Sequence, residues 1–238
     1  MTVGVPDIVV PVREGAVNEQ LRYALRSWAA NLPHGQVWVV GHLPSWARGV
    51  RHLRTEQTGT KYQNTTLAVR AACEHPEVAE DFLLCNDDMF VMHRLPGGMP
   101  ALHRGPVSKV ERYYATRGNG KYLRGMRETR DLLVDLGYPD PLSYELHTPM
   151  LMTKTGMLDA LDLGRDLDVV HKRTLYGNVA NVGGTEIRDV KILHRAPTGY
   201  GPNSMFLSTM PDSFGAGYVG AFIRRSFPER CRYESGGR

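Results

Sequence analysis

Residues 81–90 of the chain read DFLLCNDDMF, an apolar run that ends directly in two acidic residues. The apolar stretch 82–85 is typical of a strand that is buried on both faces, as in a mostly parallel sheet. Asn86, Asp87 and Asp88 follow at its carboxyl end, the edge where an open α/β sheet presents its ligand crevice. The pattern therefore predicts a polar site at the end of a buried strand.

The neighbouring carboxylates of Asp87 and Asp88 repel each other unless a positive charge lies between them. A hard divalent cation that also binds a diphosphate would supply that charge. The alternative is structural, because Asn86 and Asp87 are also suited to a turn that caps the next segment. The residues alone leave both interpretations open.

Length and composition limit the class of protein. The 238 residues fit one large domain or one domain with an appended lobe, and a hydrophobic content of 42% is enough for a sizeable core. No run approaches the ~18 apolar residues of a membrane span, and Met1–Val12 lacks the features of a secretory signal. Cys73, Cys85 and Cys231 have no metal-type spacing and cannot all pair, which predicts a reducing cytoplasm.

The charge of the chain is mildly basic, with 29 Lys and Arg residues against 25 Asp and Glu residues and a net charge of +4. The arginines are dispersed along the sequence rather than grouped in blocks. This distribution suits pockets for phosphate better than a broad nucleic-acid surface.

The first half of the sequence alternates strand and helix patterns. The predicted elements are a strand Asp7–Val12, a helix that Asn18 caps and Pro33 stops, a strand Gln36–Val40, a loop-like stretch 43–62, a helix Thr65–Glu74 and the strand that enters Asn86. This β-α-β-α-β order predicts right-handed crossovers and a parallel sheet flanked by helices.

The second half is less regular. Its predicted elements are a loop over Leu95–Pro106, a helix within Gly118–Gly137, a short helix Thr155–Leu163, a strand Ile187–Leu193 and a last helix Tyr218–Phe227. The tail Glu234–Arg238 is predicted to be disordered.

Several segments resemble the Stealth sugar-phosphotransferases. Asn18–Ser27 reads NEQLRYALRS and resembles the family's N-[DE]-[EQ]-L-R-Y-[AS]-L-R-S segment, and Asp7–Val9 stands where the family has an Asp-Ile-Val strand. Asn86–Phe90 matches the family's N-D-D-M-F motif, and His147–Pro149 resembles its H-x-P motif.

Other features depart from that family. Its W-V-D-G sequence is absent after the first strand, where Pro11–Gly15 reads PVREG, and Met150 follows the H-x-P motif where a basic residue is usual. The chain is also much shorter than typical Stealth proteins. It therefore looks more like a compact glycosyltransferase with a GT-A-type nucleotide-sugar fold, of the kind that bacteriophages encode.

This resemblance implies an α/β, GT-A-like (Rossmann-like) fold with a mostly parallel sheet flanked by helices and a less regular C-terminal acceptor half. Residues 1–238 would form a single domain. Within it, 1–95 would bind the nucleotide-diphosphate sugar, while 96–238 would bind the acceptor and supply catalytic residues.

The resemblance also implies Mn²⁺ or Mg²⁺ across the two phosphates of the donor, where it acts as a Lewis acid on the departing diphosphate. Asp88 would be a ligand, together with Asp87 or Asn86. His194, at the end of the strand 190–193, is the candidate for a late histidine ligand. The alternative for His194 is a surface or loop histidine.

Arg22 and Arg26 lie four residues apart on one face of the first predicted helix. Their two guanidinium forks could clamp phosphate oxygens. Alternatively, the pair is solvated or binds buried carboxylates.

The remaining candidates for binding the nucleotide sugar lie at strand ends, at a helix start and in a loop. Lys61 and Asn64 open the second helix, where backbone N–H groups favour an anion, although Asn64 could be only a helix cap. Arg173 belongs to a polar and aromatic stretch, 173–178, that is predicted as a loop. The full set is Pro11, Val12, Arg13, Lys61, Asn64, Asn86 and Arg173, with Arg22 and Arg26.

Activation of a hydroxyl nucleophile requires a general base near its proton, and Glu145 or His147 would serve at neutral pH. In a strand the two side chains point to the same face, either as a base with its orienting partner or as a simple ion pair. Asp87 is a third candidate base if only Asp88 binds metal.

The sequence is compatible with three functions. The first is metal-dependent transfer of a sugar from a nucleotide-diphosphate sugar to a hydroxyl on a protein, a glycan or a modified nucleobase. The second is the Stealth-like transfer of sugar-1-phosphate. The third is a non-catalytic domain that binds a nucleotide sugar or a nucleic acid. The expected location is the cytoplasm, which is the host cytoplasm if a phage encodes the protein.

Overall fold

The computed structural model describes residues 4–15 and 17–235. In chain order the elements are β1 (Asp7–Val12), α1 (Glu19–Asn31), β2 (Val37–Gly41), β3 (Arg51–Leu53), α2 (Lys61–Glu74), β4 (Asp81–Leu84), β5 (Met89–Val91), β6 (Leu102–His103), α3 (Val107–Ala115), α4 (Lys121–Asp135), β7 (Met150–Thr153), α5 (Lys154–Leu163), α6 (Lys172–Val179), β8 (Thr185–Glu186), β9 (Lys191–Ile192), β10 (Phe206–Thr209), α7 (Pro211–Gly215) and α8 (Tyr218–Ser226).

A five-stranded sheet in the order β3-β2-β1-β4-β7 forms the centre of the fold. The pairs β3–β2, β2–β1 and β1–β4 are parallel, and β7 runs antiparallel at one edge. Helix α1 connects β1 to β2 and α2 connects β3 to β4, as expected for crossovers between parallel strands. The predicted α/β class, with a mostly parallel sheet flanked by helices, is therefore confirmed.

Two hydrophobic layers cover the two faces of this sheet, because alternate side chains of a strand point to opposite faces. Ile8 and Val10 of β1 lie in one layer with Trp28 of α1, whereas Val9 lies in the other layer with Val69 of α2. All five side chains are 0% exposed. Strand β1 is thus buried on both faces, which explains why its sequence is apolar at successive positions.

Helix α1 begins and ends where the sequence predicts. The side chain of Asn18 accepts a hydrogen bond from the backbone N–H of Leu21 and so caps the helix. The helix ends at Asn31, two residues before Pro33, whose ring cannot continue it.

The boundaries that follow α1 differ from the prediction. Helix α2 begins at Lys61 rather than Thr65, because Thr60 and Gln63 form a capping box that starts the helix earlier. The stretch 43–62, predicted as a loop, contains β3, which extends the parallel sheet at its edge.

The helices predicted for the second half are present as α4, α5 and α8. Gly137 follows the C-cap of α4 with a φ of 94°, a left-handed conformation that glycine adopts at low cost. None of the described helices has the length and the apolar character that a membrane-spanning helix requires.

Other expectations for the second half are wrong. The stretch 173–178 lies in helix α6, which tertiary packing of its buried residues stabilises despite their mixed polarity. The predicted strand Ile187–Leu193 is reduced to the two residues of β9. Glu145 and His147 lie in irregular backbone rather than in a strand. The predicted loop Leu95–Pro106 contains β6, which pairs with β8.

Glu234 packs against α1 as the partner of Arg26. Its two carboxylate oxygens accept from Nε of Arg26 at 2.7 Å and from a terminal nitrogen of the same guanidinium at 2.8 Å. The two side chains are only 8% and 4% exposed. The predicted disorder of Glu234–Arg238 is therefore wrong for Glu234, and residues 236–238 lie outside the described residues.

We expect Arg26→Ala to lower the free energy of unfolding by about 3 kcal/mol, because it leaves a largely buried carboxylate without its partner. Urea denaturation measures this change. Arg225→Ala is a matched control, because Arg225 is exposed on α8. Equal effects of the two substitutions would contradict a stabilising role for the pair.

The same pair predicts a pH dependence. Burial alone would raise the pKa of Glu234, but the hydrogen bond and the charge of Arg26 hold it below its ordinary value. The stabilisation is therefore complete above the ordinary carboxyl pKa and is lost as the pH falls through the lower folded-state value. We expect the difference in stability between the wild type and Glu234→Gln to shrink in strongly acidic buffer.

Candidate functional site

A crevice of about 470 Å³ opens at the carboxyl ends of β1 and β4. Its volume is within the range of pockets that hold small-molecule ligands. Parallel strands that end at one edge bring residues from distant parts of the sequence together here. The lining includes eight of the predicted site residues, namely Pro11, Val12, Arg13, Lys61, Asn64, Asn86, Asp87 and Asp88.

Positive charge lies at the rim of the crevice. Arg13 is exposed in the loop after β1, and Lys61 is exposed in the first turn of α2. The amide of Asn64 makes local bonds, because its Oδ1 accepts from the N–H of Gly59 at 2.9 Å and its Nδ2 donates to the carbonyl of Gly59 at 3.0 Å. Asn64 therefore holds the loop before α2, in agreement with the structural alternative for this residue.

Gln57 holds the loop after β1 and was not found by the sequence analysis. Its Nε2 donates to the carbonyl of Val12 at 2.7 Å, and its Oε1 accepts from the N–H of Glu14 at 3.0 Å. Gly41 has a φ of +106°, and a Cβ there would lie 2.5 Å from the Gln57 nitrogen. A glycine at this position lets the amide approach the backbone of β1.

Asp87 is partly buried and binds the residue that caps α1. Nδ2 of Asn18 donates to its Oδ2 at 2.6 Å. Burial and the adjacent charge of Asp88 raise the pKa of Asp87 to about 6, although the bond from Asn18 and the charge of Lys191 act in the opposite direction. The two ionised carboxylates therefore repel each other when no further cation lies between them.

Asp88 forms an ion pair with Lys191, whose ammonium group contacts Oδ2. The side chains are 16% and 11% exposed, respectively. Among the residues that the structure describes, the buried Oδ1 of Asp88 has no hydrogen-bond partner. A buried carboxylate oxygen without a partner is costly, and Oδ1 of Asp88 has the capacity to bind an ion or to accept from a ligand.

The carboxylate oxygens of this site are suited to a hard divalent cation that also binds phosphate. Mg²⁺ is commonly held by one or two carboxylates together with substrate phosphates, and Asp87 and Asp88 supply such oxygens. His194 is exposed and is not part of the crevice lining within the described chain. Across residues 4–15 and 17–235, no three His, Cys, Asp or Glu side chains form a metal site by themselves. The predicted histidine ligand is therefore not brought to the acidic pair.

Asn18 connects the helix segment Asn18–Ser27 with the acidic segment Asn86–Phe90. It adopts a left-handed conformation (φ 45°, ψ 64°), which is uncommon outside glycine but tolerated by asparagine. Its Oδ1 caps α1 while its Nδ2 reaches Asp87, so one side chain fixes the start of the helix relative to the acidic pair.

Other residues of α1 bind the strand that follows the acids. The indole N–H of Trp28 donates to the carbonyl of Met89 at 2.9 Å, and Nδ2 of Asn31 donates to the carbonyl of Val91 at 2.7 Å. The hydroxyl of Ser27 accepts from the N–H of Val91 at 3.1 Å. The segment thus holds β5 and the acidic turn that precedes it.

The arginines predicted as a phosphate clamp lie away from the crevice. Arg22 pairs with Glu19 at 2.9 Å and lies 4.8 Å from the centre of the Trp46 ring. Arg26 binds Glu234, as described above. The structure therefore has the alternative arrangement, in which these guanidinium groups bind carboxylates.

Arg173 is also placed inside the protein rather than in the crevice. Its guanidinium donates to the carbonyls of Leu84 at 2.8 Å and Thr148 at 2.7 Å. It therefore ties the end of β4 to the segment that contains His147.

Asp189 orients the imidazole of His147. Nδ1 of His147 lies 2.9 Å from the carboxylate of Asp189, and the backbone N–H of His147 donates to the same group at 3.1 Å. Burial alone would raise the pKa of Asp189, but His147 and Arg104 hold it below its ordinary value. An ionised Asp189 accepts a hydrogen bond from Nδ1–H, which leaves Nε2 of His147 as the basic nitrogen.

Glu145 is not the partner of His147, contrary to the expectation from a strand. Its carboxylate accepts from the N–H of Thr174 at 3.2 Å, in the first turn of α6. Burial would raise the pKa of Glu145, but the charges of His171, Lys172 and Arg173 lower it overall. Glu145 therefore stabilises the start of a helix.

Lys191 and Asp189 complete the two polar clusters and were not predicted from the sequence. Both come from one extended segment, and Lys191 lies three residues before the histidine that was predicted instead. The sequence did contain one signal for Lys191, because a basic residue is unusual within the predicted strand Ile187–Leu193. Its partner Asp88, however, is 103 positions away in the sequence.

No protein-family model matches the sequence, and no curated protein matches it. Among solved structures, the chain is similar to the glycosyltransferase GlyE of Streptococcus pneumoniae TIGR4, with 11% sequence identity and a TM-score of 0.37. The similarity covers 94% of this chain and 50% of that protein, so the chain spans about half the length of GlyE.

We expect Asp87→Asn to stabilise the metal-free protein. Because the folded-state pKa of Asp87, about 6, lies above its ordinary value of 3.8, the ionised group opposes folding at neutral pH. The substitution should raise the free energy of unfolding by roughly 1–3 kcal/mol near neutral pH in the presence of a chelator. The gain in stability should shrink as the pH falls from about 6 towards 3.8, because Asp87 becomes protonated in the folded protein.

Thermal or urea denaturation across pH measures this effect. Asp166→Asn is the control, because that carboxylate is 92% exposed. A lower stability of Asp87→Asn at neutral pH would contradict the repulsion between Asp87 and Asp88.

Proposed function

We propose that the protein is a metal-dependent glycosyltransferase with a GT-A-like fold, which moves a sugar from a nucleoside-diphosphate sugar to a hydroxyl acceptor. The observation that supports this most is the acidic pair Asp87–Asp88, with an unpartnered Asp88 oxygen among the described residues, in a crevice that also presents Arg13 and Lys61. Carboxylates beside cations are the pattern that a metal-bound diphosphate requires.

In this proposal Asp88 and Asp87 would hold Mn²⁺ or Mg²⁺, which would supply positive charge to stabilise the departing diphosphate. Arg13 and Lys61 lie at the rim and would contact phosphate oxygens. Lys61 also lies in the first turn of the 14-residue helix α2, whose N-terminal end favours an anion.

We assign the general base to His147, with Asp189 as its positioning residue. The carboxylate of Asp189 holds Nδ1, so that Nε2 can accept the proton of the acceptor hydroxyl. The side chain of His147 is 28% exposed, so an acceptor can reach it, and it lies outside the lining of the crevice within the described chain. Glu145, an equal candidate on sequence, is engaged at the N-terminus of α6.

A second candidate is transfer of sugar-1-phosphate, with attack at phosphorus instead of the anomeric carbon. The contact between Asn18 and Asp87 favours it, because this bond joins the two segments that resemble the Stealth family. The products separate the two reactions, since glycosyl transfer releases a nucleoside diphosphate and phosphoglycosyl transfer releases a monophosphate.

We expect Asp88→Asn to abolish both the metal-dependent stabilisation by a nucleotide sugar and the transfer reaction. A thermal-shift screen of nucleotide sugars with Mn²⁺ identifies the donor, because a ligand at 100 times its dissociation constant adds roughly 2.7 kcal/mol. Chromatography of the nucleotide product then identifies the reaction. Asp166→Asn is the control and should behave as the wild type.

Stabilisation by a nucleotide sugar that persists in Asp88→Asn and with a chelator would contradict metal dependence. Binding with no product would instead indicate a non-catalytic binding domain.

We expect His147→Ala to lower kcat by roughly 10²–10⁴-fold, as for the loss of a general base. Asp189→Asn should lower kcat with little change in the KM for the donor, and Asp189→Glu should restore part of the rate. Steady-state kinetics with the identified donor measures both values. His93→Gln is the matched control on an exposed histidine. A change in the donor KM alone would rule out the role assigned to Asp189.

A further inference from the structure

Lys191 occupies the position at which a cation would neutralise the acidic pair. Its ammonium contacts Oδ2 of Asp88, and both side chains are largely buried. Lys191 also lines the crevice together with Arg13 and Lys61. It is therefore the basic residue of the crevice that is in direct contact with the acids in the described chain.

The charges of the trio do not balance. Asp87 and Asp88 together carry two negative charges when ionised, and Lys191 carries one positive charge, so one negative charge remains. A divalent cation that arrives alone has to compete with the ammonium for Asp88 and is repelled by it. A diphosphate that arrives alone meets the carboxylates. Each ligand alone therefore meets a like charge in the site, whereas the cation and the diphosphate attract each other when they bind together.

The structure of the Lys191 side chain allows a change of partner. Its backbone is held in β9, where Lys191 pairs with Ser208 of β10. Its ammonium group, in contrast, is carried on a flexible stem of four carbons and donates in three directions. The side chain can leave Asp88 for a phosphate oxygen without any change in the sheet.

We propose that Lys191 is a counter-ion that closes the acidic site and couples the binding of the divalent cation to that of the diphosphate. Without a diphosphate, its ammonium neutralises Asp88 and weakens metal binding. When a diphosphate enters, the ammonium moves to a phosphate oxygen and releases Oδ2 of Asp88 to the metal. This inference rests on the proposed function for the identity of the ligands, and it assigns a role to a residue that the sequence analysis did not single out.

The first test measures the binding of Mn²⁺ alone, from the electron paramagnetic resonance signal of the free ion. We expect Lys191→Met to bind Mn²⁺ about tenfold more tightly than the wild type, a typical size for coupling between two sites. Lys191→Arg keeps the charge and should stay close to the wild type. Adding Asp88→Asn to Lys191→Met should remove the gain, which places the ion at Asp88.

The second test measures the binding of inorganic pyrophosphate in the presence of a chelator, by calorimetry. We expect Lys191→Met to bind pyrophosphate about tenfold more weakly than the wild type. Lys191→Gln is a second neutral variant that can still donate a hydrogen bond to Asp88, and it should shift both affinities in the same directions. Circular dichroism confirms that each variant is folded.

Unchanged or weaker Mn²⁺ binding in both neutral variants would overturn the proposal. Unchanged pyrophosphate binding would also overturn it, because the ammonium would then not move to phosphate. These outcomes are independent of turnover. Tighter Mn²⁺ binding and weaker pyrophosphate binding in a protein that transfers no sugar would support the role of Lys191 and refute the proposed function.

Discussion

The repulsion between Asp87 and Asp88 is the constraint on which the rest of the site depends. Two adjacent carboxylates at the end of a buried strand are costly, and the surrounding structure offsets the cost in part. Asn18 donates to Asp87, and Lys191 pairs with Asp88. One oxygen of Asp88 is still without a partner among the described residues. The protein thus maintains a local surplus of negative charge, which is a source of affinity for a cation.

The topology explains how this surplus is maintained. The parallel strands β1 and β4 end at the same edge of the main sheet, so the loop after β1 and the acidic turn face one crevice. The counter-charge comes from elsewhere, since β9 carries Lys191 and belongs to the smaller sheet with β5 and β10. Strand β5 directly follows the acidic turn, and this sheet therefore fixes the backbones of Asp88 and Lys191 relative to each other.

Features with a strong local signal were predictable from the sequence. The strand β1, the cap and stop of α1 and the acidic end of β4 follow from apolar runs, helical spacing and turn residues. They predicted a crevice at this edge of the sheet and eight of the residues that line it. Features that depend on distant partners were not. The spacing of Arg22 and Arg26 places them on one helical face, but it cannot reveal that Glu234 binds them. Helix α6 depends on tertiary packing, and Lys191 meets Asp88 only through the pairing of short strands.

The pair Arg26–Glu234 also has a consequence for how the chain is made. Its members are 208 positions apart, and the residues that cover the apolar stripe of α1, among them Leu207 and Ile223, are likewise translated late. Most of the polypeptide has therefore left the ribosome before α1 can contact Leu207, Ile223 and Glu234. Until those segments are made, the apolar stripe of α1 lacks the residues that cover it, and exposed apolar surface of this kind favours aggregation.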